Sequence, residues 1–196
     1  GNSAEYLTTL PFVRMLSGPM DYTPGIFDID YSTAKADKGR IEWNGPNAAC
    51  CIKTTLARQI ANWVIIYSPL QMAADLIENY EGHPAFRFFR DFDADCDWSK
   101  ALQGEIGDYI VVARRAKDRH FLGAGTDEKA RTLVQKLDFL EPGVTYTATI
   151  YADAPDAGRN PEAYLIGKRA VTARDTIRIE MAERGGQAIT FIPAEK

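Results

Sequence analysis

The sequence predicts a mixed α/β first half and an all-β second half, joined near residue 97. Before this point, apolar segments alternate between strand-like and helical patterns, which is typical of an α/β unit. After it, seven short β-branched or alternating segments are separated by turn-forming residues. We therefore predict two regions, residues 1–97 and 98–196, of which the second is an antiparallel β-sandwich of about 100 residues.

Composition and charge limit the classes of partner. The 196 residues are 45% apolar and 26% charged, values that are ordinary for a folded protein. The 23 basic and 27 acidic residues give a net charge of −4, which argues against a nucleic acid partner, since such proteins carry a basic surface. No apolar run approaches the ~20 residues of a membrane-spanning helix, so we also expect no membrane partner.

The first region contains two strand-like runs and two helical patterns. The segments "FVRML" and "PLQMAADL" are short and apolar and predict buried strands, whereas "HPAFRFFRDF" predicts a short helix with Pro84 in its first turn. The segment "TTLARQIANWVIIY" has the apolar spacing of a helix that begins at Thr54 or Thr55 as N-cap and ends before Pro69. Its last four letters, "VIIY", also fit an apolar strand.

The second region is a series of predicted strands. They are "DYIVVARRA", "RHFLGAGT", "TLVQKLDFL", "VTYTATIYADA", "AYLIGKRAVT", "DTIRIEMA" and "QAITFIPA". In "TIRIEMA" the apolar side chains Ile177, Ile179 and Met181 alternate with charged ones, which predicts one buried and one exposed face. Seven or eight such strands are enough for a sandwich.

The first region by itself is too small to form a complete parallel sheet. Strands of such a sheet need neighbours on both sides and helices on both faces, which two strands and two helices cannot supply. We therefore expect the strands to belong to the wall of a larger barrel, with "GPMDYTPG" as the loop above it.

Several segments resemble glycoside hydrolase family 97. They are "TTLPFVRMLSGPMDYTPGIFD", "TTLARQIANWVIIYSPLQMAADLIENYE", "GEIGDYIVVARR", "LGAGTDEKAR", "LDFL" and the late "GGQAITF", all in the order found in that family. Its members are bacterial α-glucosidases and α-galactosidases with an N-terminal β-super-sandwich, a calcium-binding (β/α)8 barrel and a C-terminal β-sandwich. The resemblance implies that residues 1–97 are the terminal strands and helices of the (β/α)8 barrel and residues 98–196 the C-terminal sandwich.

The resemblance also implies where the chemistry lies. The catalytic acid, the base or nucleophile and the calcium-binding glutamates of the family match no position here and lie upstream. Glu5 falls past the acid in this comparison, so we assign no catalytic and no metal-binding residue to this chain. The family further implies an α-linked oligosaccharide substrate, a role in oligomerisation for the C-terminal region and a periplasmic location.

Three residues are candidates for substrate binding. Asp21 follows a Gly-Pro pair at the expected end of a barrel strand, where (β/α)8 enzymes place their active sites, and Tyr22 could pack against a sugar face. A capping role for Asp21 in the "DYTPG" turn is an equal alternative. Arg14 within "FVRML" needs either a structural ion pair or an active-site role in a barrel interior. Asp75 occupies the corresponding end of the next strand and is a weaker candidate.

Other motifs favour structural roles. In "DFDADCD" four carboxylates alternate, but Cys96 and Leu102 stand where a calcium loop needs Gly and Glu, so we interpret the segment as an acidic linker. The cysteines Cys50, Cys51 and Cys96 have no disulfide-framework or zinc spacing. His83 and His120 are predicted to be surface or turn histidines.

Two functions remain open at this level. The first is the C-terminal part of a family 97 glycosidase that is inactive alone. The second is a non-catalytic β-sandwich module for subunit interaction or carbohydrate binding, the latter disfavoured because alternation buries most aromatic residues of the second half.

Overall fold

The computed structural model describes residues 3–29 and 52–194. Within these ranges, four α-helices precede the strands: α1 (Ala4–Val13), α2 (Leu56–Ile65), α3 (Ile77–Tyr80) and α4 (Arg87–Asp91). A 3₁₀ turn at Arg14–Ser17 follows α1, and another at Pro84–Phe86 precedes α4. None of the helices in the described ranges is long and apolar enough to cross a membrane.

Eight antiparallel strands follow in the part of the second region that the structure describes. They are β1 (Trp98–Glu105), β2 (Tyr109–Ala116), β3 (Arg119–Thr126), β4 (Arg131–Lys136), β5 (Tyr146–Asp153), β6 (Tyr164–Val171), β7 (Thr176–Met181) and β8 (Gly186–Pro193). Six strands form one sheet in the order β1-β2-β3-β8-β5-β6, and β4 pairs with β7 in a second sheet. All seven strand predictions for this region are confirmed, whereas β1 was missed.

The six-stranded sheet is the middle of three layers. One face packs against the two-stranded sheet through a core that includes Leu122, Ile177 and Ile179. The opposite face packs against the helical region through a second core that includes Ile60, Val64, Phe88 and, from the sheet, Phe121 and Tyr151. Because the second core draws on both predicted regions, the sheet buries both of its faces.

The strand predictions for the first region are wrong. No strand precedes Trp98 in the described residues. The segment "FVRML" lies in the end of α1 and the following 3₁₀ turn, "VIIY" lies in and just after the end of α2, and "PLQMAADL" has neither helix nor strand. Helix α1 is favoured because the Ser3 hydroxyl caps the Tyr6 N–H at 3.2 Å, and Leu7 and Leu10, three residues apart, are both buried.

Helix α2 agrees with its prediction. The Thr55 hydroxyl oxygen accepts the Arg58 N–H at 3.1 Å, which satisfies one of the unpaired donors at the helix start. Every residue of α2 is buried, since the sheet lies beneath it and other segments cover its remaining faces. The helix ends at Ile65, ahead of Pro69.

Close approach between α2 and the sheet depends on glycines. A Cβ atom built on Gly123 of β3 would lie 2.6 Å from the Ala61 carbonyl oxygen of α2, and one on Gly125 would overlap the Arg58 guanidinium. These positions therefore exclude larger residues while α2 stays in place.

Candidate functional site

The segment 18–29, which contains two of the three predicted substrate-binding residues, Asp21 and Tyr22, is an extended strap held against α2. The Gln59 side-chain oxygen accepts the N–H groups of Gly25 and Ile26 at 3.0 and 3.3 Å. The Trp63 indole N–H donates to the Pro24 carbonyl at 3.0 Å. Gly25 has a φ of +105°, and a Cβ atom there would lie 2.8 Å from Trp63 and Phe89, so only glycine fits this turn.

Asp75 fixes the end of the same strap. One of its carboxylate oxygens accepts the N–H groups of Phe27 and Asp28, both at 2.8 Å, and the other accepts the Asn79 amide at 2.6 Å. The Tyr80 hydroxyl accepts the Asp75 N–H at 2.8 Å and donates to the Gly25 carbonyl at 2.7 Å. Asp75 therefore has a structural role in this chain, and the strand end predicted for it is absent.

Asp21 and Tyr22 lie together at the exposed end of the strap. Asp21 is exposed and makes no hydrogen bond within the described residues, so the predicted turn cap is not formed. Tyr22 is half-buried against the helical core, and burial raises the pKa of its hydroxyl although the nearby Arg58 cation acts to lower it. Their assignment to substrate binding stays a prediction.

Arg14 does not lie in a strand. It is exposed in the 3₁₀ turn, and its guanidinium donates to the Ser17 hydroxyl at 3.1 Å. The prediction of a buried strand position is wrong because the apolar run around it turns at Gly18, which has a φ of +117°. Glu5, in the first turn of α1, is exposed as well.

Two buried arginines, which sequence reasoning missed, join α2 to the sheet. Arg58 of α2 is fully buried and donates to the Thr126 and Gly185 carbonyls at 2.8 and 3.3 Å. In the reverse direction, Arg114 of β2 donates to the Val64 carbonyl at 2.5 Å, near the helix C-terminus. Burial lowers the pKa of each guanidinium to about 10, so both arginines stay protonated at neutral pH. The only signal in the sequence was that each arginine lies within a largely apolar segment.

Asp153 lies near Arg58 on the same face of the sheet. Its carboxylate accepts the N–H groups of Ala182 and Gly186 at 2.9 and 3.0 Å. Burial raises its pKa to about 6, although these hydrogen bonds and Arg58 act to lower it. Asp153 is thus the described carboxylate with the strongest upward pKa shift. It is buried within the fold and not in a cleft, and its Oδ2 atom accepts the two backbone N–H groups.

Asp127 and Asp108 share one cation, Arg131. Arg131 contacts the Asp127 carboxylate and lies 3.1 Å from an Asp108 oxygen. Burial acts to raise the pKa of Asp127, but the hydrogen bonds from Arg131 and the Lys129 N–H keep it below its usual value. Arg131 thereby ties the turn before β2 to the turn after β3.

The described residues contain no metal centre. No group of three or more His, Cys, Asp or Glu side chains within the described ranges is arranged to hold an ion. In the acidic segment, Asp91 pairs with Arg87 at 3.2 Å and Asp93 with Lys117 at 2.9 Å, so the carboxylates are used as pairing groups. These residues do not fit the calcium ion of the resembled family.

The histidines and the cysteine have structural environments. His83 caps the Pro84–Phe86 turn, as its Nδ1 accepts the Ala85 N–H at 3.3 Å. His120 is only 1% exposed among aromatic rings, so the prediction of a surface or turn position is wrong for this residue. Burial raises the pKa of the Cys96 thiol to about 11, which makes it a weak nucleophile; Cys50 and Cys51 lie outside the described residues.

A cavity of about 190 Å³ lies at the N-terminal end of α2. Its lining includes Thr54, Lys53, Arg159 and Arg184, and Glu183 is the only acidic residue among those lining it that the structure describes. Glycoside hydrolysis requires two carboxylates on opposite sides of the bond that is cleaved. This cavity therefore lacks the groups of a hydrolytic centre.

Fold and site together define a β-sheet domain with a helical layer on one face of its larger sheet. A sequence profile described as "Glycosyl-hydrolase 97 C-terminal, oligomerisation" matches residues 95–192. The chain belongs to glycoside hydrolase family 97. The match begins just before β1 and ends within β8, so it covers the sheets and excludes the helices.

Relatives and solved structures agree with this assignment. The chain is 31% identical to a retaining α-galactosidase of Bacteroides thetaiotaomicron over 96% of its length, and 31% identical to a probable retaining α-galactosidase of Streptomyces bingchenggensis over 95%. A family 97 enzyme from Pseudoalteromonas sp. strain K8, solved in complex with acarbose, is 44% identical over 99% of the chain with a TM-score of 0.88. The chain spans only 26 to 29% of the length of these proteins.

Proposed function

We propose that this chain is the C-terminal part of a family 97 glycoside hydrolase that cleaves α-glucosides or α-galactosides and that it is inactive alone. The observation that carries the proposal is the match over 99% of the chain to 29% of a family 97 enzyme, combined with a site that offers no catalytic carboxylate pair. In this proposal the acid, the base or nucleophile and the calcium ligands belong to the remainder of a longer, periplasmic protein.

The surface of the helical region carries exposed apolar side chains of the kind that contact a neighbouring protein domain. The large apolar side chains that are strongly exposed lie mostly before residue 78, namely Tyr6, Val13, Leu16, Leu70, Met72, Leu76 and Ile77. The Met20 N–H donates to the Tyr67 carbonyl at 3.2 Å, which brings the segments carrying Leu16 and Leu70 together. Clustered exposed apolar side chains mark an interaction surface. The proposed occupant is the catalytic (β/α)8 barrel, which the helical region completes.

The alternative of a carbohydrate-binding sandwich has less support. Sugar-binding faces present exposed aromatic rings, and the only aromatic among the strongly exposed large apolar residues described is Tyr6, in α1. The part of the alternative that concerns subunit interaction agrees with the word "oligomerisation" in the description of the matched profile. We therefore include assembly of subunits in the proposed role of residues 98–196.

Activity assays test the proposal. The purified chain is expected to release no nitrophenol from nitrophenyl α-glucoside or nitrophenyl α-galactoside, whereas the longer enzyme that contains it hydrolyses one of them. Turnover by the chain that persists through successive purification steps would overturn the proposal.

The longer enzyme also tests the substrate-binding residues. We expect Asp21→Ala and Tyr22→Ala to raise KM by about tenfold, the effect of losing about 1.4 kcal/mol of binding, and Arg14→Met to raise it less. The matched control is Asp138→Ala, which removes an exposed carboxylate far along the chain, beyond β4, and should leave KM unchanged. Equal kinetics for Asp21→Ala and Asp138→Ala would remove Asp21 from the proposed site.

A further inference from the structure

The two edges of the six-stranded sheet differ in how well they could accept another strand. At one edge, the pairing of β1 with β2 shifts register between Ala101 and Gln103. The Gln103 side chain also donates to the Val134 carbonyl of the other sheet at 3.2 Å. A shift of this kind kinks a strand and protects an edge from further pairing.

The opposite edge, β6, is regular and open. It pairs with β5 over all eight residues without a register shift. Residues 165–170 are all exposed, so both faces of the strand are uncovered, and its other edge pairs with no strand in the described ranges. Two of these residues, Leu165 and Ile166, are large and apolar, with 55% and 39% of their surface exposed.

We propose that β6 is the surface through which two copies of this chain associate, edge to edge and antiparallel, so that two six-stranded sheets become one continuous sheet. This inference rests on the proposed assembly role of residues 98–196 and names the strand that performs it. The occupant is a second copy because the matched profile describes this region as one of oligomerisation, and because β6 can pair with its own copy in a register that sets no cation opposite an identical cation.

Backbone geometry restricts that register. Along a strand, the N–H and C=O groups of successive residues point alternately to its two edges, and paired residues must point the same way. Two identical antiparallel strands can therefore meet only with one residue opposite itself. Centring the pair on Lys168 or Arg169 would place a cation directly opposite an identical cation, which is unfavourable.

Centring the pair on Gly167 places no cation opposite an identical cation. It also pairs seven residues of each β6 strand, the largest number that any such register allows. Lys168 then lies opposite Ile166 of the partner subunit, and Arg169 lies opposite Leu165 of the partner subunit. A Cβ atom built on Gly167 would meet no atom of its own chain within 4 Å, so the centre of the contact is unobstructed. An edge-strand contact of seven residues from each strand is smaller than the ~1,600 Å² of a standard interface, so we expect a dimer that dissociates at micromolar concentrations.

Sedimentation velocity on the full chain tests the association. We expect a concentration-dependent monomer–dimer equilibrium for the unmodified chain, and at least tenfold weaker association for Leu165→Asp combined with Ile166→Asp. The control is Val134→Asp on β4, which is 64% exposed on the other sheet and should leave the equilibrium unchanged.

A cysteine placed at the proposed centre tests the register. In a background with Cys50, Cys51 and Cys96 replaced by Ser, Gly167→Cys should form an intermolecular disulfide on oxidation, because self-opposed Cα atoms of antiparallel strands lie about 4.5–5.5 Å apart, within disulfide range. Lys168→Cys should cross-link poorly, since its own copy would lie two residues along the partner strand, beyond that range.

The outcomes separate this inference from the proposed function. A chain that stays monomeric at about 100 µM would overturn both the β6 inference and the assembly role, while leaving the glycosidase assignment to the activity assays. Dimers that resist the β6 substitutions, or that cross-link through Lys168→Cys and not through Gly167→Cys, would overturn the inference alone.

Discussion

At the scale of single residues, buried ionisable groups determine how stability depends on pH. His120 is buried, and burial lowers its pKa from 6.5 to about 4. Asp153 is buried as well, and burial raises its pKa from 3.8 to about 6. Both groups are therefore neutral in the folded state around pH 5, where the unfolded chain carries each of them charged.

The two groups act in opposite directions. As pH falls from about 6.5 to 4, the unfolded state binds a proton at His120 that the folded state does not, so this group lowers stability on acidification. Over about pH 4 to 6, the folded state holds a proton on Asp153 that the unfolded state has lost, so this group raises stability on acidification.

Replacing one of the two groups should therefore leave the pH dependence of stability to the other group. We predict that His120→Phe becomes more stable, relative to the unmodified chain, as pH falls from 6.5 to 4, and that Asp153→Asn becomes relatively less stable from 6 to 4. Urea unfolding midpoints measured across this range check both slopes. Parallel pH profiles for all three proteins would contradict the assigned environments.

At the scale of elements, the contact between α2 and β3 depends on the missing side chain of Gly123. Gly123→Ala would place a methyl group 2.6 Å from the Ala61 carbonyl and 2.8 Å from the Val64 Cβ, so α2 must move away from the sheet. We predict a loss of about 2 kcal/mol in the free energy of unfolding, typical of overpacking. The control, Gly158→Ala, meets no atom within 4 Å and should change stability by less than about 0.5 kcal/mol.

Urea unfolding distinguishes these variants, provided that the free energy of unfolding falls equally steeply with urea concentration in both. Equal stability of Gly123→Ala and Gly158→Ala would show that α2 is not packed as closely as described. The same helix is held at both ends by Arg58 and Arg114, so we expect the damage to spread to the strap at residues 18–29, which is anchored on Gln59 and Trp63.

At the scale of the whole molecule, the two predicted regions share one core. Phe121, Tyr151 and Ala188 of the sheet are buried in the same cluster as Ile60 and Phe88 of the helical region. Removal of residues 1–97 would uncover this face of the sheet.

We therefore predict that residues 98–196 produced alone bind a hydrophobic dye and aggregate, or unfold at lower urea than the full chain. The physical reason is the exposure of a large contiguous apolar surface. Dye fluorescence and urea unfolding, measured beside the full chain, check this result. A monodisperse fragment with an unchanged midpoint would instead support an autonomous sandwich with its boundary near residue 97.

Much of the second region could be predicted from local pattern. Strand β7 shows why: Ile177, Ile179 and Met181 are buried and the residues between them are exposed, so a period of two appears directly in the sequence. Strand β1 was missed because most of it is exposed at an edge, so no alternation selects its residues. The strand predictions for segments such as "FVRML" were wrong because a short apolar run does not distinguish a strand from a buried helix.

The sequence by itself determined the family, the strands of the second region and helix α2 with its Thr55 cap, because these features depend on motifs, periodicity and neighbouring residues. Only the tertiary structure decided that the sheet is covered on both faces and that Arg58 lies against Gly125. The hydrogen bond from Arg58 to Gly185 joins residues 127 positions apart, and no local pattern encodes a contact that exists only after two distant segments have packed together.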